Sequence, residues 1–471
     1  MVKFINFTKE TLKAQHLTAL REIGRQMGVK SPASKNKVQL VKDIMAIQNK
    51  EIPPTIPGKR GAPVKMDVDV SEFYAADEHV YDDGPIKKVP LRDKEQNEDG
   101  CFVVEGVLEQ HVSGYGFLRV NNYESTIEDA YISSQNIKKY NLRRGDKVKA
   151  LAKIVRVGET AAVQEVISIN GLEPIKFKQR ANFDDLVPYY PTERIRLETN
   201  GEDNLAIRCI DLFAPLGMGQ RGLIVAPPKT GKTTLLKMIA QSIEKNYKDV
   251  QLIVLLIDER PEEVTDIKRS INSEVVFSTF DEGAEHHIRA AELVINRAKR
   301  LVEAGVNVVI LMDSITRLAR AYNNTVESSG KTLSGGIDPA AMCGPKRFFG
   351  AARNIENGGS LTILSTALIE TGSRMDDVIY EEFKGTGNME IHLSRELSEK
   401  RVFPAIDLYK SGTRKEELLL SEKELSTVYK LRKILSERGD ATDNLLDILK
   451  KTKDNDDLTE KLDSWLKIFK K

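Results

Sequence analysis

Hydrophobic and polar positions divide the 471-residue chain into successive regimes. Over residues 1–50, Leu12, Leu17, Leu20 and Ile23 recur at helical spacing, Gly28 and Ser31-Pro32 interrupt, and Val38, Leu40, Val41, Ile44 and Met45 resume it, which predicts a small helical unit. From 51 to 100 the pattern dissolves into EIPPTIPGKRGAPVK and an acidic run holding Asp67, Asp69, Glu72, Asp77, Glu78, Asp82 and Asp83. So little apolar surface cannot offset the entropy lost on ordering, and the segment reads as a disordered linker. Between 101 and 171, short runs rich in Val, Ile and Tyr (CFVVEGVLEQ, GYGFLRV, DAYIS, DKVKALAKIVRV, AAVQEVISI) are punctuated by glycines, predicting five strands in a small closed barrel. After a connector over 172–200, long apolar strands alternate with helical stretches over 201–420, the signature of an α/β domain with a mostly parallel sheet. Residues 421–471 are charged and helical and hold Trp465.

Composition alters this picture little. Hydrophobic residues at 40% and charged residues at 30% suit a globular protein. No run approaches a membrane span, and in MVKFINFTKETLK the residues Lys9, Glu10 and Lys13 break any apolar signal core, so the expectation is a soluble, cytoplasmic chain with no membrane partner. Cys101, Cys209 and Cys343 stand far apart in no ligand or disulfide spacing and are expected to be small buried fillers. Charge matters more. With 71 basic against 70 acidic side chains the sum is +1, which excludes a uniformly basic nucleic-acid coat protein. The first fifty residues are nevertheless clearly basic, either as a solvated helical face or as an auxiliary nucleic-acid contact.

Candidate chemistry gathers where apolar strands end. RGLIVAPPKTGKTT runs a strand, Leu223 to Val225, through a turn into a helix. A phosphate-binding loop needs inward backbone N–H groups, a lysine for the outer phosphates and a hydroxyl for Mg2+. Gly231, Lys232 and Thr233 supply these, with Ala226 where the first glycine of the usual pattern stands. QLIVLLIDER places Glu259 just beyond a second strand, and VNVVILMDS places Asp313 at the end of a third. The carboxyl ends of parallel strands line the ligand crevice. Asp313 there suits Mg2+ held through water, and Glu259 suits orienting or deprotonating the attacking water. Alternatively, Asp313 only caps the following helix. Arg414 in SGTRKEE, with Arg401 in EKRVFPAID, is either a surface ion-pair partner, which the residues alone favour, or a finger reaching across a subunit boundary.

SGYGFLRV sets Tyr115, Phe117 and Arg119 at period two, with Tyr131 of DAYIS available to join them. Such a set is either packed core, as alternating aromatics usually are, or a stacking platform for unpaired bases worth about 1–3 kcal/mol per base. Gly114 and Gly116 favour a closely approachable surface. SSGKTLSGGID (328–338) and TGSRMDD (371–377) read as long Gly/Ser loops, the moving parts of an ATPase. Their Lys331 and Arg374 either meet a phosphate backbone or are merely solvated.

Together these strings resemble the Rho family, the ring-shaped, ATP-driven RNA translocases and helicases that terminate bacterial transcription. The likeness runs from about Cys101 to Leu420 through GLIVAPPKTGKT, LIDERPEEVTD, DSITRLARAY, PKRFFGAARN, EEFKGTGNME, KRVFPAID and SGTRKEELL, and Ala226 itself follows the family pattern. It implies a RecA-like α/β ATPase core preceded by an OB-like RNA-binding barrel. It also implies an RNA-dependent ATPase with RNA–DNA helicase activity, acting as a homohexamer on nascent single-stranded RNA, with ATP and Mg2+ as cofactors and RNA polymerase as a partner. By resemblance, Lys229, Thr230, Gly231, Lys232, Thr233 and Thr234 hold phosphates, Thr233 and Asp313 serve Mg2+, and Glu259 is the catalytic carboxylate. Arg260 and Arg317 line the ATP site and Phe403 stacks on adenine. Arg414, with Arg401 close by, is then the finger given to the neighbouring subunit, which reverses the ion-pair preference. Tyr115, Phe117, Arg119 and Tyr131 match the primary RNA site. The 326–338 loop, with Lys331, Gly335 and Gly336, and the segment Thr371, Gly372, Ser373 and Arg374 match the central-channel loops, Arg374 keeping the charge of the family's frequent lysine.

One position departs. GETAAV puts Ala161 where the family carries a stacking tyrosine, which should weaken or broaden pyrimidine preference. The acidic linker is an insertion the family does not explain. A passive RNA-binding module is opposed by the intact Lys232, Glu259, Asp313 and Arg414, and a rotary ATP synthase subunit leaves the barrel aromatics without a role.

Overall fold

The structure is a computed structural model that describes residues 35–49, 100–154, 160–177, 180–199, 204–437 and 441–469, together with Leu12, Leu20, Ile23, Gly24 and Val29. The expected linker, save for Gly100, lies outside the described residues. Two compact units divide the chain, 1–92 and 93–471. In the first, α1 (Lys37–Gln48) begins with a reciprocal cap: the Asn36 side chain accepts from the Gln39 N–H at 2.9 Å, and the Gln39 side chain accepts from the Asn36 N–H. Leu40, Val41 and Ile44 of α1 are buried with Leu12, Leu20, Ile23 and Val29 in the small helical core that the spacing predicts.

The second unit opens with β1 (Phe102–Gln110), β2 (Gly116–Arg119), β3 (Ala130–Ile132), α2 (Ser134–Lys139), β4 (Lys147–Lys153) and β5 (Ala161–Ile169), closed in the order β1-β2-β3-β5-β4. Alternation along the strands buries Leu108, Leu118, Ala130 and Ala161 inside the barrel and turns Glu109, Phe117, Arg119 and Tyr131 outward.

Beyond it come β6 (Pro188–Tyr189), β7 (Arg194–Ile195), α3 (Leu205–Phe213), β8 (Leu216–Gly217), β9 (Arg221–Ala226), α4 (Lys232–Asn246), β10 (Gln251–Glu259), α5 (Pro261–Ser270), β11 (Glu274–Thr279), α6 (Ala284–Glu303), β12 (Val308–Asp313) and α7 (Ile315–Thr325). The core is completed by α8 (Cys343–Gly350), β13 (Arg353–Ile355), β14 (Ser360–Leu368), α9 (Arg374–Lys384), β15 (Met389–His392), α10 (Arg395–Glu399) and β16 (Gly412–Thr413). Seven strands of a nine-stranded sheet run β11-β10-β12-β14-β9-β15-β16, parallel as far as β15, and the other two branch from it antiparallel, β13 on β14 and β6 on β13. Its central strands read as unbroken apolar runs because both faces are covered: α3, α4 and α5 pack on one side, and α6, α7, α8 and α9 on the other.

Three expectations change. Pro188–Tyr189 of the connector pairs with β13 and so joins the main sheet. The charged helical stretch 421–471, expected as a C-terminal helical extension, forms α11 (Glu422–Glu437), α12 (Ala441–Lys451) and α13 (Asn455–Phe469) and is part of the core, since Val428, Leu431, Leu449 and Leu458 share one cluster with α3, and Trp465 packs against it. Arg208 of α3, 1% exposed, donates to the Leu449 and Thr452 carbonyls at 2.6 and 2.9 Å, supplying the terminal carbonyls of α12 with partners. Of the cysteines only Cys209 is buried, and burial pushes its thiol up to about 12, whereas Cys101 is half-buried and Cys343 exposed.

The barrel is seated on β11 and α6. Asn122 exchanges hydrogen bonds with the Phe277 backbone at 2.9 and 3.0 Å, the Tyr123 hydroxyl bonds Glu274, Arg143 pairs with Glu303 at 3.2 Å, and Arg297 reaches Asn170 at 2.5 Å. Gly145 adopts φ +94° against the α6 backbone at Asn296, where any Cβ would collide, so both the turn and the close approach require glycine. Among the described residues no helix is long and apolar enough to cross a membrane.

Candidate nucleotide and nucleic-acid sites

The chain leaves β9 at Ala226 and turns into α4 through residues 227–231. The Thr230 hydroxyl holds the turn by donating to the Pro227 carbonyl at 2.8 Å, and Lys229 and Gly231 take φ of +66° and +88°. No described side chain caps α4, so its first N–H groups stay open to an anion, with Lys232, Thr233 and Thr234 as its opening residues.

Lys232 Nζ lies 2.8 Å from Glu259 Oε1 and 2.5 Å from Asp313 Oδ1. Desolvation opposes the ammonium charge, but the two carboxylates outweigh it and raise the lysine pKa. Burial and the neighbouring Asp313 push the Glu259 carboxyl above the ordinary glutamate range, against the pull of Lys232. Thr366 donates to Asp313 Oδ1 at 2.7 Å, and Asp313 Oδ2 is buried with no hydrogen-bond partner among the described residues. The helix-cap alternative for Asp313 fails because Ser314 caps α7, accepting from the Arg317 N–H at 3.2 Å. The unused Asp313 oxygen and the Thr233 hydroxyl are hard oxygen donors of the kind Mg2+ takes alongside phosphate oxygens, so the residues present fit that ion.

Arg317 Nη1 binds Asp258 at 2.5 Å and its Nε lies 3.9 Å from Glu259. Arg260 is exposed at the start of α5. Ser398 of α10 donates to the Lys229 carbonyl at 3.1 Å and so ties that segment to the phosphate loop. Arg401 and Phe403 follow it, Phe403 52% exposed. Glu263 escaped the sequence reading, although it accepts from the Thr233 hydroxyl at 2.9 Å.

Arg414 sits elsewhere. β16 pairs with β15 at Thr413 and Met389, Met389 pairs with Gly222, and the Arg414 N–H donates to the Asn388 carbonyl at 2.8 Å. That is the amino end of β9, a full strand or about 17–20 Å from the phosphate loop. Arg414 is exposed, forms no ion pair with a described carboxylate, and lines a cavity of about 480 Å3 with Lys384, Lys410 and Arg432.

On the barrel, the core alternative for the aromatics fails. Tyr115, Phe117 and Tyr131 are half-exposed on the outer face with ring centroids 5.7–6.0 Å apart. His111 extends the patch by stacking on Tyr115 at 4.7 Å, a partner that period-two reading within one strand could not find. Arg119, on the same outer face, lies flat along it and does not extend into solvent. Its guanidinium lies 5.1 Å from the Phe117 ring centre and donates to Glu109 at 2.7 Å and Asp129 at 2.5 Å. Ala161 corrects an expectation: it is wholly buried inside the barrel opposite Ala130, and its neighbour Ala162 is the one that pairs with Tyr131. A tyrosine at 161 would point inward, so Ala161 removes no stacking ring.

The two channel-loop candidates touch. A Cβ on Gly335, at φ +80°, would lie 2.9 Å from the Arg374 carbonyl oxygen and the Met375 backbone. Lys331, Gly336, Gly372 and Arg374 are exposed, and Thr371 and Ser373 half-exposed. The second loop is shorter than expected, because Arg374 to Asp377 already belong to α9. Both segments are pinned. Asp376 accepts from Arg320 at 2.8 and 2.7 Å and from Thr371 at 2.6 Å, and Asp338 accepts from the Ser329 N–H at 2.6 Å.

Sheet, phosphate loop and paired carboxylates define a P-loop ATPase of RecA-like build that carries a small barrel with an outward aromatic face. Residues 206–413 match the nucleotide-binding domain of the ATP synthase alpha/beta family, and residues 104–175 match the RNA-binding domain of Rho termination factor. A prototypical ATPase from the type III secretion system of pathogenic bacteria superposes with a TM-score of 0.50 at 25% identity, covering 60% of this chain and 87% of its own. Transcription termination factor Rho of Bacillus subtilis (strain 168) is 57% identical over 367 residues, 78% of this chain and 86% of the relative. The Escherichia coli (strain K12) protein of the same name is 54% identical over 363 residues, 76% and 87% of the two chains. The chain belongs to the transcription termination factor Rho family.

Proposed function

We propose that this protein is an RNA-dependent ATPase that captures nascent single-stranded RNA on its barrel and threads it through a homohexameric ring past the 326–338 and 371–374 loops. Hydrolysis at subunit boundaries then drives translocation, RNA–DNA unwinding and release of the transcript from RNA polymerase. The observation that carries this reading is Lys232 paired with the two buried carboxylates Glu259 and Asp313 in the same chain as an outward aromatic platform.

Lys232 neutralises both carboxylates until outer phosphates compete for its ammonium group. Turning to the phosphates, it releases Asp313, which with Thr233 would hold Mg2+, an ion that supplies charge neutralisation on the phosphate oxygens. Glu259, its carboxyl raised by burial, accepts the proton of the attacking water. The neighbour's Arg414 meets the charge that develops on the transferred phosphoryl group, and Phe403 and Arg401 flank the base and ribose side. The test is hydrolysis with no nucleic acid, with cytosine-rich RNA and with single-stranded DNA. RNA is expected to raise the rate severalfold, and a rate indifferent to RNA sinks the reading.

A further inference from the structure

Glu109 lies on the outer face of β1 opposite Phe117 in the β1–β2 ladder. Its Oε2 accepts from Arg119 Nε at 2.7 Å and from Arg289 Nη2 at 2.6 Å, and its Oε1 accepts from Arg289 Nε at 2.8 Å. Two parallel N–H bonds from one guanidinium are the strong, oriented form of the ion pair. At 17% side-chain exposure, solvent screens it less than a surface pair. Burial works against the charge, but the bonds from Arg289 and Arg119 hold the carboxyl below the ordinary glutamate range. Arg119 is the cation packed on the platform ring Phe117. Arg289 belongs to α6, a helix of the ATPase core. One carboxylate thus joins the RNA face of the barrel to the core.

The core end of this contact leads to the catalytic edge. His287, two residues before Arg289, has its Nδ1 2.8 Å from the Ser278 hydroxyl on β11. Ser278 pairs with Ile257, the residue before Asp258, and Asp258 holds Arg317 beside Glu259. The seating contacts described above, Asn122 with Phe277, Tyr123 with Glu274, Arg143 with Glu303 and Arg297 with Asn170, fasten the barrel without sharing a group with the platform. A base that recruits Arg119 takes one of the two cations from Glu109 and leaves Arg289 as its remaining partner. RNA therefore interacts differently with the linked and unlinked arrangements, which is what a coupling between sites requires.

We propose that Glu109 and Arg289 are positioning residues that transmit occupancy of the aromatic platform to the ATPase through the first turns of α6. This rests on the RNA-dependent ATPase reading. Two quantities separate transmission from simple attachment: the affinity of a short cytosine-rich oligonucleotide, measured by fluorescence anisotropy without nucleotide, and the RNA concentration giving half-maximal ATPase stimulation. Arg289→Ala should leave oligonucleotide affinity within about twofold while raising the half-maximal RNA concentration about fivefold or more. Arg289→Lys, which keeps the charge but not the fork, should recover most of that loss. Glu109→Gln, which also frees Arg119, should weaken both quantities. A stimulation curve for Arg289→Ala that overlays wild type overturns the proposal, and so does an equal fall of both quantities in Arg289→Ala, the mark of mere docking. Wild-type hydrolysis that ignores RNA overturns the functional reading itself, an outcome visible before any variant is made.

Discussion

Lys232 is asked to serve two buried carboxylates that would otherwise repel each other, and it is the one cation among the described residues that pairs with the wholly enclosed Asp313. Lys232→Ala should therefore lower kcat by about 10²-fold or more in RNA-stimulated hydrolysis. The raised Glu259 carboxyl has a second consequence. A base must be ionised to act, so the acidic limb of the kcat/KM–pH profile, which reports the free enzyme, should fall at a pH above the ordinary glutamate value, and Glu259→Gln should abolish that limb along with most of the rate. The same shift means that the folded state holds this proton more tightly than the unfolded chain. The contribution of Glu259 to stability is accordingly full below its unfolded pKa and declines as pH rises through the folded one. These residues were legible because a motif and two strand ends announce them. Glu109, Asp129, His111 and Glu263 were not, because each gains its role from a partner that only the folded chain brings near.

Strand register decides what the barrel can bind. The five barrel strands and the parallel order of the core were readable from alternation and from long apolar runs, yet the Ala161-Ala162 pair hides which residue faces out, since two small apolar neighbours carry no alternation. The structure places Ala161 inside and Ala162 beside Tyr131. Ala161→Tyr should overpack the barrel and lower its stability by about 1–3 kcal/mol in denaturant titration. Ala162→Tyr adds a ring next to the platform and should tighten binding of a cytosine-rich oligonucleotide by about 1 kcal/mol, roughly fivefold. Equal effects of the two substitutions on stability and on binding would refute the register argument. Two-residue β6 gave no signal because so short a strand has no period to read. The partner of α11–α13 stayed hidden for a different reason: an apolar stripe reveals that a helix packs, and says nothing of which surface receives it.

A net charge of +1 conceals a basic head and locally placed arginines, so the sum over the whole molecule says little about RNA. Position says more, and the decisive position is that of Arg414. The sheet runs its phosphate loop out at one end and holds Arg414 at the other, so the arginine cannot serve its own loop while the strands stay intact. In the proposed homohexamer, built head to tail, that end of one subunit would face the loop end of the next, and each site would be made of two chains. Lys232→Ala subunits lack a working loop but keep the arginine, and Arg414→Ala subunits lack the arginine but keep the loop. Each should be inactive alone. Mixed in equal amounts and allowed to exchange, they should regain RNA-stimulated hydrolysis at about a quarter of the boundaries, those where an intact loop meets an intact arginine. An affinity tag on one variant that co-purifies the untagged other would establish that mixed rings form. Rings that form and stay inactive at every mixing ratio would place the arginine's action within its own subunit, and the sheet would have to open to allow it.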